Sequence, residues 1–202
     1  MYKSLYLYST DIIKKYNPEV TGYSTGEGPV WFANARLNVA EPGDKSENMP
    51  GQADSLISKM KADKSFDFEN DWKLVTIFIG GNDLCDYCDD TNTFSPENYV
   101  KNVQTALDKL HAEVPKVFVN LVEVLNIANP DNGETDLSFF SPDCFHLSLK
   151  GHEAAADALW NNMIEPVGKK RTTWTPDEPV ECPDSGYART SEIIGSENER
   201  RS

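Results

Sequence analysis

The chain has 202 residues, of which 39% are apolar and 26% charged, and its 33 acidic and 19 basic side chains give a formal net charge of −14. This length suits one domain, or one domain with a tail, and allows a substantial core. The acidic balance argues against nucleic-acid binding, which needs cationic side chains to displace phosphate counterions. No stretch is long and apolar enough to span a bilayer, and the N-terminus lacks the pattern of a signal peptide.

The first part of the chain is predicted to be mostly helix and loop. Residues 11–16 indicate a short helix that ends before a proline, and a glycine-rich loop follows. Residues 35–40 are predicted as a weak strand. Over residues 50–61 the apolar side chains recur at the i, i+3, i+4, i+7 spacing of an amphipathic helix.

The second part alternates strands with helices. Residues 74–79 and 117–122 are nearly continuous apolar runs, typical of strands buried on both faces of a parallel sheet. Ser95-Pro96 begins a helix as N-cap and first residue, and Ser148 begins the last helix. The remaining stretches are predicted as loops, at 80–95 and 126–138.

This order of elements predicts an α/β domain with a parallel sheet and right-handed crossovers. Sheets usually have about 4–6 strands, so two strong strands and one weak strand suggest hidden edge strands or a missing part. From Lys169 onward the composition becomes polar, with few apolar residues that could offset the entropy of ordering. We therefore expect a domain over 1–168 and a polar, flexible tail over 169–202.

A Gly80-Gly81-Asn82-Asp83 sequence directly follows the strand at 74–79. Ligands of open α/β sheets bind beyond the carboxyl ends of the strands, and glycines let the backbone turn tightly and approach a substrate. Asn82 would present an amide donor there. The alternative is an ordinary turn without a function.

A second candidate site lies just before the last helix, where Asp143 precedes His146 by three residues. A histidine that acts as a base needs a carboxylate to hold its tautomer and to stabilise the imidazolium. In isolation, the better interpretation of this spacing is a surface aspartate near an incidental histidine. His111 and His152 are interpreted as solvated or packing residues.

Together, the two signals resemble the SGNH (GDSL-type) hydrolase superfamily, and in particular its phospholipase B/lysophospholipase branch. The resemblance covers roughly residues 10–170 and is carried by the strings NVAEPGDKSENMPGQADSL, FIGGNDLCDYC, HAEVPKVFVNLVEVL and FFSPDCFHLSLKGHEAAADALWNNMIEPVGKK. It implies a three-layer α/β/α fold with a central parallel sheet. It also implies hydrolysis of acyl esters in phospholipids or lysophospholipids through an acyl-serine, without a metal or another cofactor.

The resemblance assigns a role to each matching residue. His146 would be the general base, and Asp143 would orient it. Gly43 would give a backbone N–H to the oxyanion hole and Asn82 a side-chain N–H. Loss of one such donor typically costs about 10²–10³ in turnover.

The chain departs from the family at two places. The Gly-Asp-Ser motif that supplies the nucleophile is absent. The nearest string, at 43–46, belongs instead to the family motif that contains the oxyanion-hole glycine, Gly43. The segment between Val122 and Ser138 is also shorter than in the family. We therefore expect an N-terminally truncated chain that lacks the first strand and carries an internal deletion. The serines considered as replacements are not convincing: Ser24, Ser141 and Ser148.

Without its serine, a triad enzyme retains at best about 10³–10⁴ over water. We therefore expect the isolated chain to be inactive. The alternative function is a non-catalytic lipid-binding or regulatory fragment of the same fold. By resemblance, the protein would be extracellular or at the apical cell surface and would contact a membrane surface without crossing it.

The four cysteines allow several interpretations. Cys85 and Cys88 lie among acidic residues, which disfavours the thiolate that redox chemistry needs. A zinc site with Cys144 and a histidine would lack a second closely spaced ligand pair. A structural Cys85–Cys88 bridge is favoured, in agreement with the extracellular character of the family. Cys144 and Cys182 could form a second bridge.

Overall fold

A computed structural model of the chain describes residues 5–123, 136–143, 146–166, 168–171 and 178–182. The chain divides into two compact units, one formed by 1–19 with 126–202 and the other by 20–125. The described helices are α1 (Leu5–Tyr16), α2 (Met49–Ala62), α3 (Gly81–Asp86), α4 (Pro96–Glu113) and α5 (Leu149–Ile164), and the strands are β1 (Lys73–Phe78) and β2 (Val117–Val122). Short 3-10 turns occur at Ala33–Ala35, Ser46–Asn48 and Leu137–Phe139.

The 20–125 unit is built on a parallel pair of strands. β1 and β2 pair in register from Lys73 with Val117 to Phe78 with Val122, and α4 forms the crossover between them. One face of this pair packs against α2 and α4, because alternate side chains of a strand point to the same face. The buried residues of this core are Met49, Ala53, Leu56, Ile57, Met60, Ile77, Ala106, Leu110 and Val114.

The prediction that both faces of the strands are buried is wrong for both strands. No residue of β2 is fully buried, and Leu121 is exposed. Leu74 and Phe78 are exposed, whereas Val75 and Ile77 pack in the core between them. The apolar run over 74–79 is therefore continuous in the sequence, although the described helices cover only one face of the strand that it forms.

Two further predictions in this unit are wrong. Residues 35–40 form no strand, because Arg36 adopts a φ of 54°, in the left-handed region, and interrupts any extended run. The loop predicted over 80–95 contains the short helix α3, which Gly80 precedes with a φ of 116°. The predicted helices at 50–61 and from Pro96 are confirmed, and Ser95 accepts a hydrogen bond from the Asn98 amide as the predicted N-cap.

The other unit contains α1 and α5, whose Tyr16 and Trp160 rings stack with centroids 5.1 Å apart. α5 begins at the predicted cap, where the Ser148 hydroxyl accepts from the Gly151 amide. Part of the predicted tail is packed on this helix. The Trp160 indole donates to the Glu181 carbonyl at 2.9 Å, so a backbone group of 178–182 finds a partner on α5.

Candidate active site

The predicted base and its orienting carboxylate lie together in the unit that contains α5. His146 Nδ1 is 2.7 Å from Asp143 Oδ2, and the His146 backbone amide donates to Asp143 Oδ1 at 3.0 Å. When the neutral ring donates from Nδ1, Nε2 is the nitrogen that can take a proton. The side chains are 51% and 42% exposed, respectively, so the pair is accessible to a substrate.

This pair is positioned by a small turn at the start of α5. Phe140 and Leu147 form an antiparallel bridge, and the Ser141 amide donates to the His146 carbonyl at 2.7 Å. The Ser148 hydroxyl, which caps α5, donates to the Ser138 carbonyl at 2.8 Å. The helix cap and the histidine turn are therefore held by one hydrogen-bonded network.

A second histidine lies near the first. His152 is on the first turns of α5, and its Nδ1 is buried without a hydrogen-bond partner among the described residues. Burial, and then the nearby His146, lower the pKa of His152. Among the described residues, His152 is therefore a packed side chain whose Nδ1 lacks the partner expected of a satisfied packing residue.

The predicted oxyanion residues are joined within the 20–125 unit. Gly43 adopts a φ of 87°, and the next residue, Asp44, accepts a hydrogen bond from the Asn82 amide at 2.9 Å. A nitrogen of the amide group carries two hydrogens. One hydrogen of the Asn82 side-chain amide thus holds the side chain against the loop at Gly43 and Asp44. The second hydrogen can bond an oxyanion.

Asp83 holds the same loop through contacts with Ser46. Its carboxylate is only 3% exposed and accepts from the Ser46 backbone amide at 2.9 Å and from the Ser46 hydroxyl at 2.6 Å. From the sequence alone, Asp83 is predicted only as part of a turn. Its position directly after Asn82 was the available signal, but its partner lies 37 residues away in the chain.

Two polar contacts brace the loop further. The Gln52 amide of α2 donates to Asp44 Oδ2 at 2.6 Å, and the Lys45 ammonium lies 2.9 Å from Asp86 Oδ2. The hydrogen bond and charge of Asp86 raise the pKa of Lys45 in spite of partial desolvation.

The serine hydroxyls considered as replacements for the nucleophile are bonded elsewhere. Ser24 donates to the Ala35 carbonyl, Ser141 donates to the Leu147 carbonyl, and Ser148 caps α5. Ser46 is buried against Asp83. Each of these hydroxyls therefore has a partner other than His146 in the structure.

The predicted Cys85–Cys88 bridge is absent from the structure, where both thiols are free and exposed. Cys85 is in α3 and the backbone of Tyr87 is still helical, so the two cysteines are about one turn apart. Helical i, i+3 neighbours have Cβ atoms about 5–6 Å apart, whereas a disulfide needs about 3.5–4.5 Å. Cys182 is also a free thiol, and Cys144 lies outside the described residues.

Neither a metal centre nor a membrane span is found in the part of the chain that the structure describes. There, no group of three or more histidine, cysteine or acidic side chains could hold a metal ion. None of the described helices is both long and apolar enough to cross a membrane.

Comparison with known families decides the wider assignment. A profile of the GDSL-like lipase/acylhydrolase family matches residues 9–135, which is more than half of the chain and includes Gly43 and Asn82. The chain belongs to this family. It therefore has the α/β fold of the GDSL hydrolases, and Asp143 and His146 follow the matched region.

The chain is also similar to curated lipolytic proteins. It is 37% identical over 240 residues to human "Phospholipase B1, membrane-associated", covering 80% of this chain and 16% of that protein. The mouse protein of that name is 34% identical over 262 residues, which covers 89% of this chain and 18% of the relative. The chain thus spans less than a fifth of the length of these relatives. No solved structure matches it significantly.

Proposed function

We propose that this chain carries the acid–base pair and two oxyanion donors of a phospholipase B-type ester hydrolase. The observation that supports it most is the 2.7 Å contact between His146 Nδ1 and Asp143 Oδ2. It leaves Nε2 as the basic nitrogen, as an acyl-transfer mechanism requires. Membership of a lipase/acylhydrolase family supports the reaction class, and similarity to phospholipase B1 supports phospholipids and lysophospholipids as substrates.

In the proposed reaction, His146 takes the proton of a serine hydroxyl while the serine oxygen attacks the acyl carbonyl. The Gly43 amide and the Asn82 side chain stabilise the oxyanion. When the ester bond breaks, His146 gives its proton to the leaving alcohol. Water then attacks the acyl-serine with His146 again as the base, which releases the fatty acid and restores the serine.

The nucleophile is not among the 202 residues, and we propose that the chain alone does not turn over esters. No Gly-Asp-Ser motif occurs in the sequence, and the hydroxyls of Ser24, Ser141 and Ser148 have other partners. The alignment with the human relative is longer than this whole chain, so that relative has residues here without a counterpart. This supports the proposed internal deletion.

A fluorophosphonate probe tests the missing nucleophile. We expect no stoichiometric labelling of the chain, because the probe needs an activated serine. A fusion that adds an N-terminal strand ending in Gly-Asp-Ser should gain labelling and lysophospholipid hydrolysis. The matched fusion ending in Gly-Asp-Ala should gain neither. Stoichiometric labelling of the original chain, or equal activity of the two fusions, would contradict the proposal.

The second candidate is a non-catalytic lipid-binding or regulatory fragment. The absent serine motif favours it, because the fold and lipid contacts could persist without turnover. The serine fusion separates the two functions, since a binding fragment would stay inactive after the serine is restored. For either function we propose an extracellular or apical location, supported by the description of the relatives as membrane-associated.

A further inference from the structure

The segment at 20–39 forms a closed loop in the 20–125 unit. Two backbone hydrogen bonds join its arms, from Thr25 N to Asn34 O at 2.8 Å and from Leu37 N to Gly22 O at 3.0 Å. The Lys59 ammonium of α2 donates to three of its carbonyls, those of Val30, Arg36 and Asn38. We call this segment the tethered loop. It holds its shape through contacts that leave its tip outside the core.

Two large apolar side chains are exposed at the tip of the tethered loop. Trp31 is 76% exposed and Phe32 is 51% exposed. Each such aromatic would gain substantially from leaving water. Tryptophan in particular prefers the boundary between lipid headgroups and acyl chains.

The charge of the tethered loop differs from that of the chain. Its twenty residues include only Glu27 and Arg36 as charged groups, so the loop is neutral in a chain of net charge −14. An anionic lipid surface would repel the chain as a whole. A zwitterionic surface carries no net charge and matches a neutral aromatic tip.

A cavity of about 360 Å³ is lined by the two arms of the tethered loop, within residues 20–25 and 33–36. Its lining includes Arg36, whose Nη2 lies 3.4 Å from Thr21 Oγ1 and 3.6 Å from Asp63 Oδ2. Asn34 also lines it, and its Nδ2 donates to the Glu27 carbonyl at 2.7 Å. The Arg36 side chain is 37% exposed beside its carboxylate partner, and the exposed N–H groups of a guanidinium suit the phosphodiester of a lipid headgroup.

We propose that the tethered loop docks on the surface of zwitterionic phospholipid aggregates. Trp31 and Phe32 enter the boundary between headgroups and acyl chains, and Arg36 meets a headgroup phosphate in the cavity. This inference rests on the proposed lipolytic function, because a hydrolase of aggregated lipid must first reach its surface. It adds the residues that make this contact and the kind of surface they select.

Tryptophan fluorescence and co-sedimentation with phosphatidylcholine vesicles test the docking. We expect a blue shift in the full chain that persists in Trp72→Phe and is lost in Trp31→Phe. Trp72 is a matched control because it is also exposed, at 53%. The double variant Trp31→Ala/Phe32→Ala should bind vesicles about tenfold more weakly or worse. Circular dichroism checks that each variant folds.

Unchanged binding of the double variant, or a blue shift that depends on Trp72, would overturn the proposal. Tighter binding to phosphatidylglycerol than to phosphatidylcholine vesicles would also overturn it, because attraction to anionic lipid would then dominate. A separate experiment tests the headgroup contact. Arg36→Gln should weaken binding to phosphatidylcholine but not to phosphate-free glycolipid vesicles, and Lys61→Gln should change neither. Equal loss on both vesicles would refute the headgroup contact.

A soluble short-chain ester separates this inference from the proposed function. If the serine fusion hydrolyses the soluble ester but the double variant binds vesicles normally, docking by this loop is refuted and the hydrolase proposal stands. If the loop binds vesicles but the fusion hydrolyses nothing, the hydrolase proposal fails and docking stands.

Discussion

Gly151 lies on the first turn of α5, close to the backbone of the segment that precedes His146. A Cβ at this position would overlap with the carbonyl oxygen of Phe139 and would touch Leu147. Leu147 also forms the bridge with Phe140 that holds the turn before His146, and the Phe139 carbonyl accepts from the Ser148 amide at 2.8 Å. The packing around this turn therefore leaves no room for an extra methyl group at Gly151.

We expect Gly151→Ala to lower the free energy of unfolding by about 1–3 kcal/mol, because a backbone oxygen cannot yield as a flexible side chain can. Gly51→Ala is the control. It lies in α2 with no atom within 4 Å of the added Cβ, and alanine should stabilise that helix by roughly 0.5–1 kcal/mol. Urea unfolding measures the free energy of unfolding of both variants. Equal effects would contradict the steric overlap expected at Gly151.

Asp143 accepts from two nitrogens of His146 and so fixes both the turn and the ring. In the serine fusion, Asp143→Asn should lower kcat by about 10²–10⁴, because an amide can hold the imidazole in the wrong tautomer. Asp108→Asn on α4 removes an exposed carboxylate that bonds only locally with Gln104 among its described contacts. It should leave kcat unchanged. A normal kcat in Asp143→Asn would exclude the proposed orienting role.

At the scale of elements, the tethered loop depends on one side chain of α2. The Lys59 ammonium lies 2.9 Å from the Val30 carbonyl and within 3.3 Å of those of Arg36 and Asn38. These three carbonyls have no strand partner, so the lysine adds to the two backbone hydrogen bonds that join the arms of the loop.

We expect Lys59→Met to increase amide exchange over 22–37 by at least about tenfold, since losing hydrogen bonds to a charged group costs about 1.5–3 kcal/mol. Lys61→Met, two residues later, removes an exposed lysine paired with Glu113 and should leave this exchange unchanged. Hydrogen exchange with mass spectrometry measures both. Unchanged exchange in Lys59→Met would show that the backbone bonds suffice.

At the scale of the whole molecule, the segment after α5 is organised by Arg171. Its guanidinium pairs with Glu165 at the end of the helix, with Glu178 at 2.6 Å and with Glu181 at 2.7 Å. Burial opposes the ionisation of Glu165, but hydrogen bonds and charge from Arg171 outweigh it and lower the pKa of Glu165.

A lowered pKa gives this carboxylate a pH-dependent role. Because Glu165 ionises more readily in the folded than in the unfolded chain, its contribution is complete above the ordinary glutamate pKa. The contribution disappears as the pH falls through the lowered value. We expect the segment at 178–182 to undock in acid, with a change in Trp160 fluorescence, since its indole bonds to Glu181.

Arg171→Gln should remove this acid transition and lower Tm by several degrees, because it leaves three carboxylates without their shared cation. Lys169→Gln changes an exposed cation nearby and should retain the transition. If the acid transition is the same in Arg171→Gln, another group must control docking.

Several elements could be predicted because their signals are local. The i, i+3, i+4 pattern identified α2, and Ser95 and Ser148 identified the starts of two helices, since capping acts within one turn. The weak strand at 35–40 failed because composition does not reveal the positive φ of Arg36. The bridge at Cys85 failed because the prediction assumed a loop where α3 forms.

The sequence by itself determined the family, the positions of Asp143, His146, Gly43 and Asn82 along the chain, and the absence of a serine motif. Only the tertiary structure decided that Asn82 bonds the Asp44 carbonyl, that Ser46 covers Asp83, and that 178–182 packs on α5. The physical reason is distance along the chain. Periodicity and capping act between residues a few positions apart, whereas these contacts join residues about 20 to 40 positions apart and depend on the folded path.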